Sequence, residues 1–339
     1  MTYLNNLKFW IENNTFNSLD YSNIDNLYLK KKNKTISLVI PTLNEESTVE
    51  YIIRKIFHEL NKNFQMIDEL IVIDGNSTDN TINILNDLKK EYKLLDVVCE
   101  KDILKHYQCK KGKGNQLWKG LYYSKGDIIL YCDSDIKNFN IRMIYGLIGP
   151  LICNEIKFVK GFYERPLILN DQNQTNEGGR VTELCARPII NMFYPELSGF
   201  VQPLSGEYGG YRNILENVEY MTGYGVEVNI LIEVYNKYGI KLMGQVDLLK
   251  REHKHQNTNA LSKMSFTIMN TVLRKNKDLN LNSNILTKNM NTNNNIYQDP
   301  KNHIHEYFIL MNDAKDDVLP SIKNFRKKNS CQSVGELKD

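Results

Sequence analysis

Three polar clusters each follow a short apolar, β-branched run. Pro41-Thr42-Leu43-Asn44-Glu45 ends the run from Ile36, Asp74-Gly75-Asn76-Ser77 ends the run from Glu69, and Asp133-Ser134-Asp135 ends the run from Asp127. Alternate carboxylates just past a strand present hard oxygen donors, which suit Mg²⁺ or Mn²⁺ and, through the metal, diphosphate oxygens. The same spacing also fits an Asp133 that caps the next helix and an Asp135 that is merely solvated. Lys111-Gly112-Lys113-Gly114-Asn115 is a basic, flexible turn leading into a helix. Glycine lets backbone approach a phosphate, and a helix start adds partial positive charge; an ordinary solvated Lys/Gly loop has the same composition. It is not a Walker A motif, and no strand is followed by GxGxxG, which disfavours a nicotinamide dinucleotide fold.

Further clusters lie downstream. Arg251-Glu252-His253-Lys254-His255 follows a predicted strand. Imidazole can complete a metal shell begun by carboxylates, and a surface turn would read the same way. His303 and His305 sit in Asn-rich text and read as surface residues. Gly178-Gly179-Arg180-Val181-Thr182-Glu183 sets glycines, a guanidinium and a hydroxyl at a helix start: an anion pocket, or a plain Gly-rich turn. Gly223-Tyr224-Gly225-Val226-Glu227 would aim Glu227 into a cleft, or leave it as a first-turn glutamate favoured by the helix dipole.

These residues need a scaffold. Apolar spacing predicts strands at 36–41, 69–74, 96–99 and 127–133, alternating with helices at 44–60, at about 77–88 and at 114–124. That alternation is the βαβ signature of an α/β fold, a Rossmann-like doubly wound and mostly parallel sheet with helices on both faces. Ligands of such sheets bind beyond the carboxyl ends of the strands, so the three clusters describe one site. The second half predicts strands at 158–163 and 241–249 and helices at 181–192 and 225–238. The expected division is an N-terminal helical extension and linker (1–34), a single main domain (35–275), and an Asn-rich linker with a C-terminal helix or tail (276–339). Low apolar content predicts that this tail is dispensable for chemistry, with His305 to Lys323 as one last helix whose Ile304, Phe308, Ile309, Met311, Val318 and Ile322 could dock on the domain or on a partner subunit and add stability.

The 339 residues carry 43 Lys plus Arg against 40 Asp plus Glu, a net charge of +3, so a chain-wide nucleic-acid footprint is excluded. Six scattered cysteines without CxxC spacing read as free thiols of a reducing, cytoplasmic compartment. The start has no apolar signal region, and the uncharged stretch from Met143 to Asn154 is too short to span a membrane.

Longer segments carry a resemblance. IPTLNEE, VIDGNSTDNT and YCDSD resemble the GT-A nucleotide-sugar glycosyltransferases as a class. GKGNQLWKGL, FVKGFYERPL, GGRVTELCARPII, VQPLSGEYGGYR, GYGVEVNILIE and REHKH, in that order from about Ile36 to Arg274, resemble the glucosyl-3-phosphoglycerate synthases more closely. The resemblance implies a GT-A domain that retains α configuration while moving glucose from UDP-glucose to the 2-hydroxyl of D-3-phosphoglycerate. It implies donor contacts from Pro41, Thr42, Leu43, Asn44, Glu45, Gly75, Lys113, Asp133 and Ser134. A divalent metal (Mg²⁺, or Mn²⁺ or Co²⁺) would be held by Asp135 and His253. Gly179, Arg180, Val181, Thr182, Arg251 and His255 would take the acceptor. Leu204 and the turn Tyr224, Gly225, Val226, Glu227 would line the glucose, with Glu227, Asp135 and Lys113 as the catalytic set. Related enzymes commonly carry serine where Gly75 stands and asparagine where His255 stands. The resemblance further implies a homodimer with small-molecule substrates and neither nucleic-acid nor membrane partners. Alternatives are transfer of mannose from GDP-mannose to the same acceptor, an inverting polyprenyl-phosphate glycosyltransferase, and a nucleotide-sugar sensor without catalysis.

Overall fold

In the computed structural model, which describes residues 3–60, 65–107, 111–164, 167–169, 172–174, 179–252, 258–276 and 316–327, the apolar runs of the first half become one side of a sheet. The strands in chain order are β1 (Thr15–Asn17), β2 (Ile36–Thr42), β3 (Glu69–Asp74), β4 (Leu95–Cys99), β5 (Ile128–Tyr131), β6 (Phe158–Glu164), β7 (Leu167–Leu169), β8 (Gln172–Gln174), β9 (Tyr208–Tyr211), β10 (Tyr220–Met221), β11 (Met243–Lys250) and β12 (Val318–Leu319). The α-helices are α1 (Tyr3–Asn14), α2 (Ile24–Lys31), α3 (Val49–Leu60), α4 (Thr81–Glu91), α5 (Lys113–Tyr123), α6 (Arg142–Cys153), α7 (Arg187–Phe193), α8 (Arg212–Leu215), α9 (Val226–Tyr238) and α10 (Thr258–Lys275).

Eight strands form the main sheet in the order β1-β11-β6-β9-β5-β2-β3-β4. Every neighbouring pair is parallel except the two made by β9, which runs against both β5 and β6. Strand β2 is buried along its whole length, as a parallel strand covered on both faces must be. Its side chains alternate between two cores: Val39 joins Leu117, Trp118 and Val226 on one face, while Leu38 and Ile40 join Ile52, Ile53 and Leu85 on the other. The expected mostly parallel α/β sheet is present. Among the described residues no helix is long and apolar enough to cross a membrane.

Strand β9 lies in a segment whose Gly209-Gly210 pair hides it from periodicity. A Cβ on Gly209 would fall 2.8 Å from the Ile129 carbonyl oxygen, so glycine is what lets β9 approach β5. Helix α3 starts at Val49 rather than Asn44. Asn44 has a φ of 58° and its N–H donates to Ser77 Oγ at 2.9 Å, which keeps the preceding residues in a turn.

Both chain ends depart from expectation. Residues 1–34 are not merely an extension: β1 pairs with β11, and Trp10 is buried and donates from Nε1 to Met243 O at 3.0 Å. Nor is all of 276–339 a tail. Residues 316–327 dock on the domain, where β12 pairs antiparallel with β10 and Trp118 Nε1 donates to Pro320 O at 2.7 Å. Leu319, Ile322 and Phe325 enter the core, and Phe325 sets its ring edge-on to Trp118 at 5.1 Å. The expected helix from His305 falls mostly outside the described residues; of its later part, residues 318–319 are strand and 322–327 helical.

Candidate active site

The three strand-end clusters meet at one edge of the sheet. Thr42 and Asp74 are partners in the β2–β3 register, and Ser134 Oγ donates to Pro41 O at 2.8 Å. Thr48 Oγ1 donates to Ser134 O at 2.6 Å, tying the start of α3 to the same point. The buried Asp74 carboxylate is used by its own turn, accepting from Asn76 N at 2.8 Å, Ser77 N at 2.9 Å and Ser77 Oγ at 2.5 Å. Leu43 is largely exposed at this edge. Asn44 Oδ1 accepts from Thr78 N at 2.8 Å, and Glu45 N–H donates to Thr81 Oγ1 at 2.9 Å.

Gly75 belongs to the floor of this edge. Its N–H donates to Thr42 O at 2.9 Å. Gln116 Nε2 donates to Thr42 O at 2.8 Å and to Ile73 O at 3.0 Å, joining the ends of β2 and β3 from α5. A Cβ on Gly75 would fall 2.8 Å from that Nε2, so a serine here would have to displace Gln116.

At the head of α5, Lys113 Nζ lies 2.5 Å from Asp133 Oδ1 and 2.7 Å from Glu227 Oε1. It therefore joins the end of β5 to the first turn of α9. Burial alone would lower the Lys113 pKa, but Asp133 and Glu227 outweigh it and hold the ammonium above its ordinary value. Burial would likewise raise Asp133, yet Lys113 and Arg251 keep its carboxyl well below the usual range. Both groups remain ionised across the physiological range.

Arg251 is not laid out as an exposed acceptor ligand. Its side chain is buried, with Nη2 at 3.0 Å from Asp133 Oδ2 and 2.6 Å from Asp135 Oδ1. Nη1 donates to Tyr163 Oη at 2.7 Å and lies 3.4 Å from Glu207 Oε2. Arg251 thus fixes the two alternate carboxylates. Asp135, a third exposed, is the more accessible of the pair. His253 and His255 lie outside the described residues, and among the described residues no group of three potential ligands is assembled.

The other expected residues lie on separate elements. Gly179 has a φ of 90°, and Arg180 stands exposed at the start of the helical stretch 180–193, followed by buried Val181 and Thr182. Leu204 is partly buried against the core. Tyr224 is about half exposed, whereas Gly225, Val226 and Glu227 are buried.

Two buried charges escaped the sequence reading. Glu207 and Lys160 are both about fully buried. Lys160 Nζ donates to Ser205 O at 2.8 Å and sits 4.5 Å from the Tyr208 ring centroid. A lysine in the middle of the apolar strand Phe158–Glu164 was the available signal. Burial, with Lys113 adding to it against the pull of Glu227, Glu207 and Asp133, draws the Lys160 amine down to about 7. A lysine of an unfolded chain titrates near ~10.4, so between about pH 7 and pH 10 the unfolded chain binds a proton that the folded chain lacks, and this group makes stability rise with pH. Lys160→Met removes that slope. Chemical denaturation should show the stability difference between variant and wild type shifting in favour of wild type by up to about 1.4 kcal/mol per pH unit across this window. A difference that stays constant with pH would contradict the assignment.

The family model described as "Glycosyl transferase family 2" matches residues 37–151, and the mostly parallel sheet with helices on both faces is that of a GT-A glycosyltransferase domain. The glucosyl-3-phosphoglycerate synthase of Petrotoga mobilis is 46% identical over 266 residues, covering 77% of this chain and 80% of that protein. The chain belongs to the glucosyl-3-phosphoglycerate synthase family, and it is a hexosyltransferase. Two solved structures are also similar. Mannosyl-3-phosphoglycerate synthase from Rubrobacter xylanophilus has a TM-score of 0.72 at 36% identity, covering 79% of this chain and 82% of that one. Glucosyl-3-phosphoglycerate synthase from Mycobacterium tuberculosis, in complex with Mn²⁺, UDP-glucose and phosphoglyceric acid, has a TM-score of 0.66 at 36% identity, covering 74% of this chain and 83% of that one.

Proposed function

We propose that this enzyme transfers glucose from UDP-glucose to the 2-hydroxyl of D-3-phosphoglycerate with retention of the α configuration. The observation that carries the reading is the Lys113 ammonium held between Asp133 and Glu227 at the strand ends, in a chain closely similar to enzymes of that name. In the reaction the bond from the anomeric carbon to the β-phosphate oxygen breaks and a bond to the glycerate oxygen forms. Lys113, fixed in place and fully charged, stabilises the negative charge that grows on the departing diphosphate, the kind of contribution that dominates such transfers. The departing phosphate oxygen takes the proton of the acceptor hydroxyl on the same face, so no base is needed on the opposite face. Glu227, buried and aimed from the first turn of α9, orients the donor sugar. Gly179, Arg180, Val181 and Thr182 hold the acceptor phosphate and carboxylate.

The donor chemistry fits a divalent cation. Asp135 offers hard, partly exposed carboxylate oxygen at the edge where a diphosphate would lie. Asp135 and His253 would hold Mg²⁺ or Mn²⁺, which when bound would offset diphosphate charge.

A second reading, GDP-mannose as donor, is favoured by the similarity to the Rubrobacter mannosyl enzyme. A panel of UDP- and GDP-sugars with D-3-phosphoglycerate and Mg²⁺ separates the two. UDP-glucose should give the phosphorylated glucosylglycerate mass and free UDP; turnover with GDP-mannose alone would replace the first reading by the second. Arg180→Ala should raise the KM for phosphoglycerate by about 10²-fold, since charge-assisted bonds to an anion are among the stronger contacts. UDP-glucose affinity by calorimetry should barely move. A collapse of donor affinity with acceptor KM unchanged would exchange the two subsites.

A further inference from the structure

Lys113 and Glu227 sit on different helices, so their 2.7 Å contact depends on how the turn before α9 is held. Helix α5 fixes one side of that turn. Asn115 N–H donates to Thr222 O at 3.1 Å, and Gly114 lies so close to Met221 O that no Cβ would fit. The C-terminal segment fixes the other side. Thr222 N–H donates to Asp317 O at 3.0 Å, and Asp317 N–H donates back to Thr222 Oγ1 at 2.9 Å. Gly225 N–H donates to Asp316 Oδ2 at 2.9 Å across 91 residues of sequence. Gly225 is the N-cap of α9 and has no side chain with which to close its own helix start. A Cβ on Gly223 would collide with the Asp316 side chain, and one on Gly225 would collide with Thr271 Oγ1 and lie 3.0 Å from Asp316 Oδ2, so Gly223 is fitted to this carboxylate and Gly225 to the α10 side chain beside it. The carboxylate also meets the positive end of the helix dipole. Arg274 Nη1 donates to Asp316 O at 3.3 Å, anchoring the segment from α10.

We propose that Asp316 is a positioning residue for glycosyl transfer: its carboxylate caps α9 from the far end of the chain and so sets where Glu227 meets Lys113. The proposal rests on the reading of Lys113 and Glu227 as donor-side groups given above. It gives the C-terminal segment a role in turnover as well as in stability.

The test compares Asp316→Ala and Asp316→Asn with wild type in the full-length enzyme. The alanine variant should lose about tenfold in kcat, with the KM values for UDP-glucose and phosphoglycerate within about twofold of wild type. Asparagine keeps a capping oxygen and caps about as well as aspartate, so Asp316→Asn should recover at least half of the wild-type kcat. Hydrogen–deuterium exchange should be faster over residues 222–228 in the alanine variant alone, while residues 318–327 stay as protected as in wild type. Three results would each overturn the proposal: an alanine variant with wild-type kcat, an asparagine variant as slow as alanine, or loss of protection throughout 318–327, which would make Asp316 a fold residue only. Wild type inactive on this substrate pair would count against the donor and acceptor reading, and the exchange at 222–228, read without substrate, then decides the cap by itself.

Discussion

Lys113→Met is expected to lower kcat by about 10²–10³-fold, the range found when one fixed donor to a developing anion is removed. The ammonium is the group that joins Asp133 on β5 to Glu227 on α9, so its loss has two consequences. On the proposed reading, the departing diphosphate loses the ammonium that stabilises it. Glu227, almost fully buried, also loses its ion-pair partner, whereas Asp133 keeps Arg251 at 3.0 Å. Breaking a buried pair from one side costs about 3–5 kcal/mol. Lys113→Arg keeps the charge and should retain more activity than methionine. Steady-state rates measured beside denaturation curves separate the two effects. A methionine variant with kcat within threefold of wild type would remove Lys113 from the leaving-group role.

Why these groups were partly legible follows from what each signal measures. The polar clusters after β2, β3 and β5 stood out because buried parallel strands read as unbroken apolar runs, and a sudden Asp or Asn at their ends is conspicuous. Lys113 was legible from its flanking glycines. Gly112 does carry a φ of 154°, and Gly114 is pressed against Met221 O, so those glycines answer to packing as much as to a phosphate. The acceptor role expected of Arg251 comes from the resemblance and not from its place in the run with His253 and His255. Only the fold brings Glu207 and Tyr163 around it and converts it into the fixed counter-charge of Asp133 and Asp135. Lys160 was passed over because hydropathy along one strand cannot show that the neighbouring strand places Tyr208 beneath the amine. Strands β1 and β12 span three and two residues. Such lengths carry no period, and they exist because sheet edges elsewhere in the chain offer them a ladder.

Deleting the chain beyond Lys275 is expected to abolish a stable fold, the reverse of what composition alone suggests. The Asn-rich text is polar on average, but averages hide the last packed segment. Leu319, Ile322 and Phe325 are buried in the same core as Trp118 and Val226. Full burial of three such side chains contributes on the order of 5–9 kcal/mol, against a typical total stability of about 5–15 kcal/mol. The deletion also strips Trp118 Nε1 of its acceptor, Pro320 O, and leaves β10 without its partner strand. Phe325→Ala is the milder test of the same argument. Its ring packs against Trp118, Tyr107 and Tyr122 at centroid distances of 5.1, 5.0 and 6.0 Å, and truncating a buried phenylalanine typically costs about 3–5 kcal/mol. At roughly 2 °C per kcal/mol for a chain of this size, Tm should fall by about 6–10 °C. At a temperature where the variant stays folded, kcat should hold, because Asp316 and Gly225 are still joined. That separates a packing residue from a positioning one within a single short segment. Scanning calorimetry and rates at 20 °C decide it: a Phe325→Ala enzyme that melts with wild type, or a deletion ending at Lys275 that unfolds cooperatively at the wild-type temperature, would return residues 316–327 to the status of a tail.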